Sequence, residues 1–170
     1  MIGSSSQQRW IGVATQASVA LNDASNEAVE SAKRQLLVVR LEESDYAIEV
    51  ERVREIVRMR DLTNLPRTPD WLLGVIALRG EVVEVVDLRA RLRMPLATPS
   101  RSSRIIVLNG DGDRVTGVLV DAVSEVFRVS DDEIVPADAL ELTAVSEMCK
   151  REGGFVSILE VDRVLEFDHE

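Results

Sequence analysis

The side chains that most often carry enzyme chemistry are scarce in this 170-residue sequence. Cys149 is its only cysteine, and its only histidine, His169, is the next-to-last residue, where chains usually fray. A single cysteine allows neither an intrachain disulfide nor a cysteine-based zinc site. The two residues also cannot supply a Ser-His-Asp or Cys-His arrangement in a packed site. We therefore expect no cofactor, no metal and no histidine-dependent catalysis.

Carboxylates are the remaining candidates for acid–base chemistry. Glu81 with Glu84, or Asp131 with Asp132, could serve as the acid and base of a glycosidase. Aromatic residues make up only 4% of the chain, however, which is too few for a sugar-binding surface. The acidic Asp-Gly-Asp segment at 111–113 lacks the further carboxylates of an EF-hand loop, so it predicts a hairpin turn. The sequence favours a protein without catalytic activity.

One pair of residues points to recognition instead. Arg79 precedes Gly80 between two apolar runs, and Glu55 lies 24 residues earlier in an alternating stretch. An arginine in a tight turn near an acidic residue on a neighbouring strand could form an ion pair that presents the guanidinium outward. An ordinary surface salt bridge of little energetic weight has the same spacing. Spacing alone leaves both interpretations open.

The elements that must position these residues are mostly β-strands. Apolar, β-branched or alternating runs between 36 and 120 are separated by turn signals, and Arg79-Gly80-Glu81 joins two of them as a hairpin. Short helical turns are predicted at 69–73 and 88–92. Residues 1–35 differ, because their polar start and mostly alanine apolar face predict a flexible tail or a weak N-terminal helix.

Self-comparison reveals an internal repeat. A shift of 70 residues aligns Val50 with Val120, and after a three-residue insertion a shift of 73 aligns Gly80 with Gly153. Matching apolar positions at these shifts indicate that the same chain plan occurs twice. We expect Val50 and Val120 to occupy equivalent positions.

The copies span about 36–92 and 106–165, and a linker at 93–105 that is rich in proline and serine joins them. Each copy has about five short strands, which suits a small barrel. A barrel of that size has little core of its own, so we expect the copies to pack together. Their junction would form a groove, and partners often dock in such grooves.

The residues that carry this pattern resemble the CheW family, which includes the CheW-like regulatory domain of the histidine kinase CheA. The resemblance covers about residues 36–167. It rests on six segments: Tyr46–Val50, Val53–Ile56, Leu65–Pro69, Trp71–Gly80, Val82–Arg89 and Gly117–Val126.

The resemblance implies an all-β fold of two SH3-like five-stranded β-barrels with short helices. It also implies a non-enzymatic scaffold that couples the cytoplasmic tip of a methyl-accepting chemoreceptor to the regulatory domain of a CheA-type histidine kinase. Arg79 matches the family's receptor-signalling arginine and Glu55 its acidic companion. The apolar residues implied to line the receptor groove, part of it open, are Val50, Val53, Ile56 and Leu37. Leu62 and Leu65 are the expected kinase contacts.

Two positions depart from the family pattern. Ala77 stands where members usually have asparagine, and Glu84 where they often have proline. The N-terminal extension is also longer than usual. These differences predict a divergent paralogue in a motility or other chemosensory pathway.

Composition weighs against the other binding classes. The 30 acidic residues outnumber the 20 basic ones, for a net charge of −10, which argues against nucleic-acid binding. No apolar run approaches the roughly 20 residues of a membrane span, and the start lacks the apolar stretch of a signal peptide, so we expect a cytoplasmic protein without membrane insertion. A module of a larger kinase is a further alternative. The sequence shows no kinase nucleotide motif, which favours a free-standing adaptor.

Overall fold

The computed structural model describes residues 33–137 and 144–166, so the predicted tail or helix at 1–35 lies almost wholly outside the described residues. The described chain is built mainly of strands. These are β1 Arg34–Leu41, β2 Ser44–Glu49, β3 Val53–Arg58, β4 Leu72–Leu78, β5 Glu81–Asp87, β6 Arg104–Asn109, β7 Val115–Val120, β8 Ala122–Val129, β9 Ile134–Pro136, β10 Val145–Arg151 and β11 Gly154–Leu159. Two short α-helices, α1 Leu88–Arg91 and α2 Val161–Leu165, and two 3-10 turns, Val50–Arg52 and Asp131–Glu133, complete it.

The strands form two mixed sheets. A six-stranded sheet has the order β8-β1-β2-β11-β10-β9, and a five-stranded sheet has the order β3-β6-β7-β5-β4. Each sheet contains one parallel pair, β2 with β11 and β5 with β7, and its other pairs are antiparallel. The predicted all-β fold of two barrel-like units is confirmed. The five-strand count holds for one sheet, whereas β9 adds a sixth strand to the other.

The two sheets are not the two sequence copies. Strands β1 and β2 of the first copy lie in the six-stranded sheet, and β6 and β7 of the second copy lie in the five-stranded sheet. The expectation that each copy forms its own barrel is therefore wrong. The first hairpin of each copy pairs in parallel with the last strand of the other, so neither copy completes a sheet by itself.

The exchange preserves the repeat. Replacing β1, β2, β3, β4 and β5 by β6, β7, β8, β10 and β11 converts one strand order into the other. The parallel pair Glu84–Thr116 becomes Ser157–Tyr46 under the shifts of 73 and 70 residues. Val50 directly follows β2, and Val120 ends β7, so the two valines lie at corresponding junctions as predicted.

Three apolar clusters account for the core. One lies inside the five-stranded sheet and includes Ile105 and Val85, and one lies inside the six-stranded sheet and includes Leu36. The largest draws residues from both sheets and fills the space between them, with Leu37 and Ile106 among its members. Adjacent residues of β1 and β6 thus enter different clusters. These strands read as continuous apolar runs because both of their faces are buried.

The two predicted helical turns have different outcomes. At 88–92, α1 forms, and the Asp87 carboxylate accepts hydrogen bonds from the backbone N–H groups of Arg89 at 2.9 Å and Ala90 at 3.4 Å. At 69–73 the prediction is wrong. The chain turns there, and Leu72 already begins β4 opposite Val86.

A clamp of charged residues ties the two sheets together beside α1. Arg89 donates from Nε to Oδ1 of Asp121 at 2.9 Å, from Nη2 to Oδ2 of the same carboxylate, and from Nη1 to the Pro95 carbonyl at 3.0 Å. Asp121 also accepts the backbone N–H of Glu42, in the β1–β2 turn, at 2.7 Å. Burial opposes ionisation of Asp121, but these hydrogen bonds outweigh it and lower its pKa below the ordinary 3.8.

We expect Asp121→Asn to lower the free energy of unfolding at pH 7 by about 1–2 kcal/mol, because it leaves Arg89 without its carboxylate partner. A carboxyl with a lowered pKa stabilises the fold fully above its unfolded pKa, and this contribution is lost as the pH falls through the folded pKa. The difference from the unmodified protein should therefore shrink below about pH 4. Urea denaturation across pH 3–7 measures it, and an equal difference at every pH would contradict this account.

Candidate functional site

The turn that carries Arg79 is a two-residue hairpin loop between β4 and β5. Leu78 pairs with Glu81, and the two residues between them have positive φ, 51° for Arg79 and 80° for Gly80. Positive φ at both central positions is the pattern of a type I′ turn, whose twist matches that of the flanking strands. Glycine adopts this conformation at low cost, whereas arginine seldom does. The conformation directs the Arg79 side chain away from the strands.

Glu55 holds the exposed arginine in place. Arg79 donates from Nε to Oε2 of Glu55 at 3.2 Å and from Nη2 to Oε1 at 3.1 Å. The Arg79 side chain is 75% exposed and that of Glu55 25% exposed. The hydrogen bonds to Glu55 and its negative charge raise the pKa of Arg79 above its ordinary value. The prediction of an exposed turn arginine within ion-pair reach of Glu55 is confirmed.

A β-bulge sets the position of Glu55. Opposite β6, the pairing register of β3 shifts between Val53 and Glu55, so Arg54 is the extra residue. Bulges bend a strand and redirect its side chains. Arg54 forms its own ion pair with Glu81, with Nη1 and Oε2 3.2 Å apart. Two ion pairs therefore link β3 to the β4–β5 hairpin, although these elements stand at opposite ends of the strand order of their sheet.

Exposed apolar surface lies on the same hairpin. Val82 is 74% exposed, and it pairs across the hairpin with the exposed Ala77. Sequence reasoning did not select Val82. Its signal was the alternation of β5, because Val82 shares a strand face with Glu84, whereas Val83 and Val85 enter the barrel interior.

The apolar residues expected to line an open groove are mostly buried. Leu37 and Val50 are each 1% exposed and Ile56 is 9% exposed, and all three belong to the cluster between the sheets. Val53 is partly buried against the same cluster. The junction was located correctly, but the sheets pack directly on each other there and fill it. Val53 is thus the only one of the four with substantial exposure.

The expected kinase contacts lie on the connection between β3 and β4. Leu65 is exposed, whereas Leu62 is half-buried against the interior of the five-stranded sheet. Between them, Thr63 exchanges two backbone hydrogen bonds of 2.9 Å with Val75 and so fixes this connection to β4. Their assignment as kinase contacts remains a prediction.

The charge that departs from the family pattern has a partner on the neighbouring hairpin. Glu84 on β5 lies 3.6 Å from Nη2 of Arg114, just before β7. This places the charge at a half-buried position without leaving it uncompensated. Ala77 is exposed beside the Arg79 turn, so a side chain there would face solvent or a partner.

The six-stranded sheet carries a related but different pair. Arg151 Nη2 lies 2.5 Å from Oε1 of Glu125, which is the repeat equivalent of Glu55, and its guanidinium lies 4.0 Å from the centre of the Phe127 ring. Arg151 precedes the turn, and the residue equivalent to Arg79 is Glu152. Its side chain is 33% exposed, less than half the value for Arg79. The two ends of the pseudo-symmetric fold are therefore chemically distinct.

Within the described ranges, no group of three or more histidine, cysteine, aspartate or glutamate side chains could hold a metal ion. Cys149 is buried, and this burial raises the pKa of its thiol. No helix in the part of the chain that the structure describes is long and apolar enough to cross a membrane.

Comparison with known proteins places this geometry in a family. The profile described as "CheW-like domain" matches residues 35–168. The chain belongs to this family. It is 37% identical over 135 residues to the chemotaxis protein CheW of Rhizobium meliloti (strain 1021), an alignment that covers 77% of this chain and 86% of that protein.

Other CheW relatives agree with this assignment. The chemotaxis protein CheW of Bacillus subtilis (strain 168) is 32% identical over 135 residues, covering 77% of this chain and 86% of that protein. The crystal structure of the scaffolding protein TtCheW from Thermoanaerobacter tengcongensis superposes with a TM-score of 0.74 at 28% identity and covers 81% of this chain and 95% of that one. The family relationship supports a chemotaxis adaptor role for this CheW-like chain.

Proposed function

We propose that this CheW-like chain couples chemoreceptors to a CheA-type histidine kinase through protein contacts, without chemistry of its own. The observation that carries the proposal is the exposed Arg79 held by Glu55 on a type I′ turn. These residues occupy the positions that the family resemblance assigns to receptor signalling. The proposed partners are the cytoplasmic tip of a methyl-accepting chemoreceptor and the kinase's regulatory domain.

The geometry of the pair suits a recognition role. Glu55 contacts the Nε–Nη2 edge of the guanidinium, which leaves the Nη1 side available to a partner. Because two hydrogen bonds fix the planar group, less side-chain freedom is lost on binding than for an unrestrained arginine. Arginine held in this way is a frequent source of binding energy at protein interfaces.

Apolar side chains near the pair extend the proposed receptor surface. Val53 lies two residues before Glu55 and is partly exposed, and Val82 lies three residues after Arg79 and is exposed. A helical receptor tip with apolar residues one turn apart could contact both valines and accept hydrogen bonds from the arginine. This surface replaces the larger groove that Leu37, Val50 and Ile56 were expected to line.

We assign the kinase contact to a different face. Leu65 is an exposed large apolar residue on the β3–β4 connection, and its neighbour Leu62 anchors that connection to the barrel interior. Leu65 is therefore the residue of the expected pair that can contact a kinase regulatory domain directly, and Leu62 would support it from beneath.

The test is Arg79→Ala in a reconstituted mixture of receptor, kinase and this protein. We expect receptor-dependent control of the kinase to fall by about tenfold or more, since the variant removes a candidate hot-spot arginine. The melting temperature should change by about 2 °C or less, because the pair is on the surface. Arg40→Ala is the matched control, since Arg40 also forms an exposed ion pair, with Asp45 at 3.1 Å. It should leave kinase control unchanged.

A loss of several degrees in the melting temperature with normal kinase control would assign Arg79 to structure. Equal loss of control in the Arg79 and Arg40 variants would show that the effect depends on surface charge in general. Binding of each variant to the isolated kinase regulatory domain separates the two contacts, because only the receptor contact should weaken.

A further inference from the structure

Two arginines face each other at one end of the five-stranded sheet, away from the Arg79 turn. Arg58, the last residue of β3, pairs directly with Arg104, the first residue of β6. Like charges directly opposite each other on antiparallel strands are destabilising. Arg104 is also 6% exposed, so water screens its charge poorly. This placement requires a compensating group.

The hydrogen bonds of the two guanidiniums only partly compensate their charges. Arg104 donates from Nη1 to the backbone carbonyls of Arg101 at 2.7 Å and Ser103 at 2.6 Å, and both acceptors are uncharged. Burial, together with the charge of Arg58, lowers the pKa of Arg104 to about 10. Nη2 of Arg58 is buried and has no hydrogen-bond partner in the structure as described. An unsatisfied buried donor of this kind often marks the position of an ion or ligand.

The internal repeat shows how the same position is satisfied in the other sheet. Arg34 on β1 is the repeat equivalent of Arg104, and it forms ion pairs with Glu49 and Glu147. The positions equivalent to these two carboxylates in the five-stranded sheet are Leu119 and Gly74. The six-stranded sheet therefore provides two carboxylates for its arginine from its own strands. The five-stranded sheet has a second arginine near that position and neither of those carboxylates.

We propose that Arg58 and Arg104 form a binding site for an oxyanion, a carboxylate or phosphate group supplied by another molecule. Planar guanidiniums bind such groups through paired hydrogen bonds, and two of them on opposing strands can share one anion. Arg58 is only partly buried, which gives the anion a route to the pair. This proposal is independent of the receptor contact, since it uses neither Arg79 nor Glu55.

The test is thermal unfolding of the full chain in sodium phosphate and in sodium chloride at equal ionic strength. We expect phosphate to raise the melting temperature of the unmodified protein by about 3–5 °C more than chloride does. Arg58→Gln should abolish this difference. Arg60→Gln is the matched control, because Arg60 is an exposed arginine two residues further along the chain, and it should retain the difference. Phosphate also stabilises proteins non-specifically, and the comparison between variants removes that contribution.

Two further measurements sharpen the outcome. At low ionic strength in chloride, Arg58→Gln should melt about 1–2 °C above the unmodified protein, because it relieves the repulsion. Sodium acetate in place of phosphate distinguishes the sources of the anion. Stabilisation by acetate as well indicates a carboxylate of a protein partner, and stabilisation by phosphate alone indicates a phosphate group. Equal effects of phosphate on the unmodified protein and Arg58→Gln, or a lower melting temperature of Arg58→Gln in chloride, would overturn the proposal.

Discussion

Val50→Asp should unfold the domain, whereas Val53→Asp should leave it folded. Val50 is 1% exposed and belongs to the cluster that joins the two sheets. A buried carboxylate at this position must either stay ionised without a partner or take up a proton, and either costs several kcal/mol. A domain of this size has a total stability of about 5–15 kcal/mol, so the loss removes most of it. Val53 only borders the cluster, and we expect a loss of about 1 kcal/mol there.

Circular dichroism and urea denaturation measure the folding of both variants. Val53→Asp should also lose receptor binding, because it places a charge on the apolar surface proposed to contact the receptor tip, while binding of the kinase regulatory domain persists. Val53→Ala is the control, since it removes side-chain volume without adding a charge. If Val53→Asp unfolds the domain as Val50→Asp does, Val53 belongs to the core and the receptor surface must be sought elsewhere.

The sequence predicted the local features of this molecule well. The Arg79 hairpin could be predicted because the turn chemistry of Gly80 and the flanking apolar strands act over a few residues. The repeat was visible because equivalent positions in both copies, such as Val50 and Val120, meet similar packing requirements. The two-sided burial of β1 and β6 was also readable, since an uninterrupted apolar run has no face left for water.

Non-local pairing could not be predicted in the same way. The repeat specifies that two similar units exist, but the parallel pairing of β2 with β11 and of β5 with β7 joins residues far apart in sequence. An apolar strand face fits either neighbour equally well. For the same reason, the sequence located Leu37 and Val50 at the junction of the two units without showing that the junction is filled.

Tertiary contacts also overrode one local prediction. A proline followed by an acidic residue at 69–70 favours a helix start, yet the Asp87 N–H donates to the Trp71 carbonyl at 2.8 Å and aligns the chain with β5. The bulge that sets Glu55 has a similar origin. It appears in the pairing of β3 with β6, and the alternation of residues 53–56 contains no signal for it.

Gly74→Ala should be the most disruptive single-methyl change on the β3–β4 connection. Gly74 has φ of 148°, a conformation that other residues rarely adopt, and a Cβ atom there would lie 2.4 Å from the Thr63 carbonyl oxygen. That oxygen accepts one of the two hydrogen bonds between Thr63 and Val75. The added methyl group must push the connection away from β4 and break this pairing. We expect the free energy of unfolding to fall by about 3 kcal/mol or more.

Gly154→Ala separates backbone strain from the steric clash. Gly154 has nearly the same φ, 151°, but no atom lies within 4 Å of a Cβ atom built there. This control should lose only the strain contribution, about 1–2 kcal/mol, in the same urea titration. Gly74→Ala should also weaken binding to the kinase regulatory domain, because the displaced connection carries Leu62 and Leu65, whereas Gly154→Ala should not. Equal losses of stability in the two variants would mean that the contact with Thr63 does not determine the need for glycine at position 74.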